Sequence, residues 1–379
     1  MIGVLKSNIS RTLLNIPGWR TNRKIVVIES DDWGSIRMPS KEVYERLLKG
    51  GVRVDKCPYN RVDSLASEED LSALFDVLFQ FKDNQGNHPI ITANTVVANP
   101  DFDRIRQSGF KEYFYEPFTT TLKKYPNHTN SFELWKQGMT SKVFHPQFHG
   151  REHVNINVWL NLLQQKNETF LKAFDLGMWG LGPNIVKTGR INIQASFDSL
   201  DKEDLVSQKE ILIEGLDLFE KLFGYRSDSF IANNFIWDTS LNSTLLGNGV
   251  TVFQGMKYQK LPLLDSPKRK LIRHIQGEKN KLNQIYLIRN CRFEPSQFPG
   301  IDSVSACLYD ISNAFFWRKP AIINAHRLNF IGNIEESNRT KNLKLFVKLL
   351  DSILIKWPEV EFMTSDKLGL LILEEERKG

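Results

Sequence analysis

Two adjacent carboxylates, three clustered histidines and one late histidine are the residues of this chain best suited to chemistry. Asp31 and Asp32 stand in IESDDWGS, residues 28–35, where an apolar run stops. Neighbouring carboxylates are costly to bury unless a metal or a partner takes up their charge, and a turn or helix cap is their ordinary alternative role. His145, His149 and His153, three of the chain's seven histidines, lie in VFHPQFHGREHVN, residues 143–155. The four-residue spacing of His149 and His153 predicts that both imidazoles share one face of a helical turn and reach one divalent ion. His145 is open as third ligand, outer support or cleft wall, and Glu152 is expected to point away from the shared face. In SFIANNFIWD, residues 229–238, Asn233, Asn234 and Trp237 would line a sugar site, with Arg327 from a later segment as a further substrate-binding residue. PAIINAHRLNF, residues 320–330, ends an apolar run in His326 and Arg327. A histidine there serves either as a general acid or as an inward residue bonded to backbone.

Elements must bring these segments together. Short β-branched runs at 24–30, 89–96, 142–147, 190–197, 228–233, 250–254, 320–325 and 360–364 alternate with helical patterns at 67–83, 155–174, 203–223 and 335–356. Such alternation predicts β-α units around a parallel sheet, with the chemistry at the carboxyl ends of the strands. Ser67 and Asp70 have capping-box spacing. The length of 379 residues permits two domains, but no linker divides the chain, so one large α/β domain spanning 24–379 is expected. Residues 256–312 are long for a β-α connection and are expected to form an insertion on one face.

Charge is uneven. The net charge is +6, yet residues 257–289 hold nine basic residues against Asp265 and Glu278. A solvated basic surface is the plain reading of that stretch, and no recognisable nucleic-acid-binding module accompanies it. Residues 1–23 form a basic segment in which Leu5, Ile9, Leu13 and Ile16 fall at helical spacing. A helix packed on its own domain is expected there, with contact to an anionic membrane face as the alternative. The three cysteines, Cys57, Cys291 and Cys307, form no CxxC pair, so any metal must be sought among His, Asp and Glu. No apolar run suits a signal peptide or a membrane span, and a cytoplasmic protein, peripheral at most to the inner membrane face, is expected.

Taken in order, the DD motif, the HxxxH motif, the polar turn after a mid-chain strand and the late histidine resemble the polysaccharide deacetylase family, the NodB-homology or carbohydrate esterase family 4 group. The resemblance spans about residues 24–372, with FMTSDKLGLLI similar to the family's closing strand and helix. It implies a distorted (β/α) barrel of about seven parallel strands that removes acetyl groups from N-acetylhexosamines with zinc or cobalt. Asp31 is then the implied base, Asp32, His149 and His153 the metal ligands, and His326 the acid. The family's arginine-proline-proline turn, whose arginine orients the catalytic aspartate, is replaced here by Ile231-Ala232-Asn233-Asn234. Arg151 and Arg327 are the candidates to supply that charge. Gly150 stands where the family usually has Ser or Thr.

The leading expectation is a metal-dependent hydrolase acting on an N-acetylated sugar, carried on a lipid or a nucleotide. A glycosidase of the same barrel superfamily, using Glu29 and Asp31, and a catalytically silent carbohydrate-binding relative, motivated by the absent arginine, are the alternatives.

Overall fold

The computed structural model describes residues 12–189, 192–266 and 268–378, and its strands form where the sequence runs apolar. Ten of them make one sheet: β1 (Lys24–Trp33), β2 (Ile91–Thr95), β3 (Phe144–Phe148), β4 (Ser229–Phe230), β5 (Val252–Gly255), β6 (Glu278–Lys279), β7 (Ile285–Ile288), β8 (Cys291–Arg292), β9 (Ala321–Asn324) and β10 (Val360–Met363). The order is β6-β7-β5-β4-β3-β2-β1-β9-β8, with β10 also beside β1. Only Arg289 and Asn290 separate β7 from β8, and this single extended stretch pairs in parallel first with β5 and then with β9. The sheet thereby closes into a barrel of seven parallel positions. It is distorted at β1: Val26 pairs with β9 and β10, whereas Ile28 pairs with β9 and β2, so β10 and β2 divide one side of the strand. β6 is an antiparallel addition to β7.

Side-chain alternation separates two cores. Val26 and Ile28 face outward into the larger one, between barrel and helices. Ile25 and Val27 face the lumen, where they meet Val252, Ile285, Leu287 and Ile322 from three other strands. Following the paired registers upward, the next lumen layers are largely polar: Glu29 beside Thr92 and Asn324, Asn94 beside Gln147, and Gln254 two residues beyond Val252 on β5. A lumen apolar at its amino end and polar at its carboxyl end is how this barrel positions chemistry.

Helices follow their caps. Helix α1 (Glu68–Phe79) begins with the Ser67/Asp70 capping box. The pattern at 155–174 forms two helices, α2 (Ile156–Gln164), capped by Asn155, and α3 (Glu168–Phe174), capped by Asn167, because Lys166 takes a positive φ of 55° between them. Helices α4 (Lys202–Phe223), α5 (Ser303–Phe316) and α6 (Glu336–Lys356) cover the barrel. Helix α7 (Ser365–Lys378) contributes Leu368 and Ile372 to the lumen's amino-end cluster. A Cβ on Gly369 would come within 2.2 Å of Val252, so only glycine lets α7 seat this closely.

Two expectations change. Residues 256–312 contain the antiparallel hairpin Tyr258–Pro262/Arg269–Arg273, but also the barrel-closing stretch 285–292 and helix α5, so they are not simply an insertion. No strand forms at the described residues 192–197; Ile193 instead presents its carbonyl to the Asn155 N–H. Arg190 and Ile191 lie outside the described residues, as do Leu5 and Ile9 of the basic amino-terminal segment. What is described of that segment lies against the barrel, Asn15 accepting from Asn290 and Thr12 from Asn313. Among the described residues no helix is long and apolar enough to cross a membrane.

Candidate active site

Alternation along β1 would send Asp31 and Asp32 to opposite faces. It fails because Ser30 pairs with Ala93 while Trp33 pairs with Thr95, so β1 holds one residue more than β2 over that interval. Asp32 takes φ +75°, a left-handed conformation that aspartate tolerates better than most side chains. This bulge turns both carboxylates into one cavity of about 80 Å³, lined also by Arg37, Tyr59, His149, His153, Gln194, Asn234, Phe235 and His326.

On one side of the cavity Asp32, His149 and His153 converge, with their candidate ligand atoms all within 4.8 Å of one another. His149 Nδ1 lies 2.8 Å from the Ile231 carbonyl, which can only accept, so Nε2 keeps its lone pair. That Nε2 faces Asp32 Oδ1 at 3.6 Å. His153 Nε2 lies 3.2 Å from the same oxygen and 3.3 Å from Arg37 Nη2, a pure donor, so it too presents a lone pair. Burial and the charge of Arg37 bring the His153 pKa down to about 4, leaving it neutral as a ligand must be. Burial opposes the ionised form of Asp32, but the Arg37 charge beside it holds its carboxyl well below the usual range. Three acceptors aimed at one another repel unless a cation lies among them, and an O,N,N set suits a transition ion such as zinc or cobalt better than magnesium or calcium. The residues therefore fit a divalent metal. The two histidines meet through a loop around Gly150, whose φ is +113°, and not on the face of a helical turn.

On the other side Asp31 is gripped by an arginine from the barrel-closing stretch. Arg289 donates from Nη1 and Nη2 to the two Asp31 oxygens, each at 2.6 Å, from Nε to Glu29 at 2.5 Å, and from Nη1 to Asn324. Asn94 adds a bond to Asp31 Oδ1 at 2.7 Å. Burial works against the Asp31 charge, but Arg289, with His326, outweighs it and keeps the carboxyl well below the usual range. Glu29, one lumen layer below, behaves oppositely: burial dominates and raises its pKa despite Arg289. His326 Nε2 lies 3.6 Å from Asp31 Oδ2, while its Nδ1 is hydrogen-bonded to the buried Glu294. Burial lowers the His326 pKa, yet the charge and hydrogen bond of Glu294, followed by Asp31, lift it to about 9.

Among the candidate residues, Asp31, Asp32, His149, His153, Asn234 and His326 thus share the cavity. Asn233 stands just behind it, its Nδ2 within 3.2 Å of His149 Nε2 and 3.0 Å of the His149 carbonyl. The others lie elsewhere. His145 is at the amino end of β3, 3.3 Å from Asp366 and stacked on Tyr225. Arg151 pairs with Glu152 and Glu214. Trp237 donates to Asn242 and stacks on Phe253. Arg327 is fully buried, forked onto Asp63 through two 3.0 Å bonds. Neither Arg151 nor Arg327 supplies the charge behind Asp31; Arg289 does.

Arg289, Glu294, Arg37 and Tyr59 escaped the sequence reading. Arg289 ends the basic stretch 257–289, whose other cations give the region a surface-like composition. A signal was available: it directly follows the apolar run Ile285–Ile288, as Glu29 and Asp31 follow Ile25–Ile28.

No protein-family model matches the chain, and no curated protein matches it in sequence. Solved structures of similar fold include a putative polysaccharide deacetylase from Mycobacterium smegmatis, at 8% identity and a TM-score of 0.45, covering 95% of this chain and 94% of that one. An allantoinase is similar at 10% identity and a TM-score of 0.47, covering 93% and 91% of the two chains. A 4-alpha-glucanotransferase from Thermococcus litoralis is similar at 11% identity and a TM-score of 0.44 over 91% of this chain, which spans 40% of that enzyme's length.

Proposed function

We propose that this chain is a metal-dependent hydrolase that removes the acetyl group from an N-acetylated sugar. The observation that carries the reading is the meeting, in one small cavity, of a convergent Asp32/His149/His153 set with an ionised Asp31 and a protonated His326. A divalent ion held by the three ligands, zinc first and cobalt second, would acidify a water and polarise the acetamide carbonyl. Asp31, kept ionised by Arg289, is the acceptor for the proton released as water attacks. Its bidentate grip fixes the carboxylate's orientation, so the proton arrives at a defined oxygen. His326, charged up to about pH 9, is oriented by Glu294 and donates a proton to the departing amine. Asn233 holds the ligand loop to the turn after β4. The products are acetate and a free amino sugar.

The alternatives lose their motives. A glycosidase needs opposed carboxylates on different strands, but among the described residues the only carboxylates lining the cavity are the adjacent Asp31 and Asp32, and Glu29 is tied up by Arg289 and Ser365. The silent-relative reading rested on a missing arginine, and Arg289 fills that place.

The test is elemental analysis of the purified protein beside His153→Ala, followed by acetate release from a panel of N-acetylated sugars. About one equivalent of metal, lost in the variant, with acetate and no new reducing ends, is the expected result. A protein that takes up no metal from zinc or cobalt and releases no acetate overturns the reading.

A further inference from the structure

A cavity of about 80 Å³ is far below the roughly 300–1,000 Å³ of a site that encloses a whole small-molecule ligand, so it suits an acetamido end and not a whole sugar conjugate. The rest of the substrate must lie outside, and a second cavity of about 540 Å³ adjoins it there. Asn234 and Phe235 line both. Asn234 takes a left-handed φ of 56°, and its buried Nδ2 has no hydrogen-bond partner among the described residues, leaving a donor at the boundary.

The outer cavity's charged lining is wholly cationic among the described residues: Lys187, Lys260 and Arg269. Two of these come from the hairpin Tyr258–Pro262/Arg269–Arg273, an addition to the barrel bridged to the site at Ile236 and Lys260. Arg269 is anchored from behind, donating to the buried Asp198 from Nε at 3.1 Å and from Nη2. Asp198, behind the lining, offsets one of these charges, and among the described lining residues there is no carboxylate to offset the other two.

We propose that the outer cavity binds a diphosphate group joined to the N-acetylated sugar, so that the sugar passes Asn234 and Phe235 and presents its acetamido group to the inner cavity. The assignment of the sugar end rests on the hydrolase reading; the diphosphate site does not need turnover to be tested. Either a nucleoside or an isoprenoid could carry such a diphosphate.

Calorimetric titration of the full chain with uridine diphosphate and with farnesyl diphosphate separates the sources. Lys187 and Lys260 are exposed, so the double variant Lys187→Gln/Lys260→Gln should fold, and it is expected to weaken the preferred diphosphate by about tenfold. Asp32→Asn should leave binding within about twofold, and added salt should weaken it. Tighter uridine diphosphate assigns a nucleotide carrier, and tighter farnesyl diphosphate a lipid one. Two results overturn the proposal: no binding of either probe, or binding lost in Asp32→Asn but kept in the double variant, which would place the phosphates at the ligand cluster. Equal acetate release from neutral and phosphorylated N-acetyl sugars would also overturn it while leaving the deacetylase reading intact.

Discussion

The two adjacent aspartates each have a buried arginine behind them, and the two arginines are used differently. Arg289 spends its Nε, Nη1 and Nη2 on Glu29, Asp31 and Asn324. Arg37 donates once to Asp32 at 2.9 Å and leans between Tyr59 and Trp179, while its Nε and Nη1 have no hydrogen-bond partner. A saturated guanidinium locks its carboxylate in one orientation; an unsaturated one neutralises charge without claiming every lone pair. Asp31 is thereby suited to accept a proton repeatedly from one place, and Asp32 to keep an oxygen facing two histidines.

The contrast can be broken in four ways. The largest effect is expected from Asp31→Asn, which should reduce turnover by about 10³–10⁴-fold while metal content, read by elemental analysis, stays near wild type. Arg289→Met should follow, costing about 3–5 kcal/mol in urea unfolding, because Glu29 and Asp31 would be left buried without their cation. Arg37→Met should cost less, about 1–3 kcal/mol without metal and under about 1 kcal/mol with zinc bound, since the ion takes over the neutralisation of Asp32. Equal losses with and without zinc would contradict the distinction between the two arginines. The smallest effect is on pH dependence. With His326 raised to about 9, its contribution to stability is complete below the ordinary histidine range and is lost as pH rises through about 9, and activity should fall along the same limb. Glu294→Gln should move that limb down toward the ordinary histidine pKa in a pH–rate profile.

The strands carrying Asp31, His149 and His326 were readable because a barrel strand buried on both faces is a continuous apolar run, and a polar residue ending such a run marks the carboxyl rim. The bulge that brings Asp32 around to Asp31 was not readable, since it depends on the register between β1 and β2 rather than on local pattern. The closing stretch 285–292 was hidden by its neighbours: surface lysines on the hairpin before it coloured the whole region as exposed. Asp63 and Arg327, both fully buried, show the same difficulty, because a charge compensated 264 residues away looks like any surface charge in the sequence.

The stretch that joins β7 to β8 also sets an order of events. Glu29 and Asp31 are among the first strand residues made, and Arg289 follows them by 260 and 258 positions. Until the chain has been synthesised past that point, the barrel has neither its last wall nor the cation for two interior carboxylates. Closure and charge compensation therefore arrive in one late, long-range step, so this domain should fold slowly and all together, with little native protection in any fragment that stops short of residue 289.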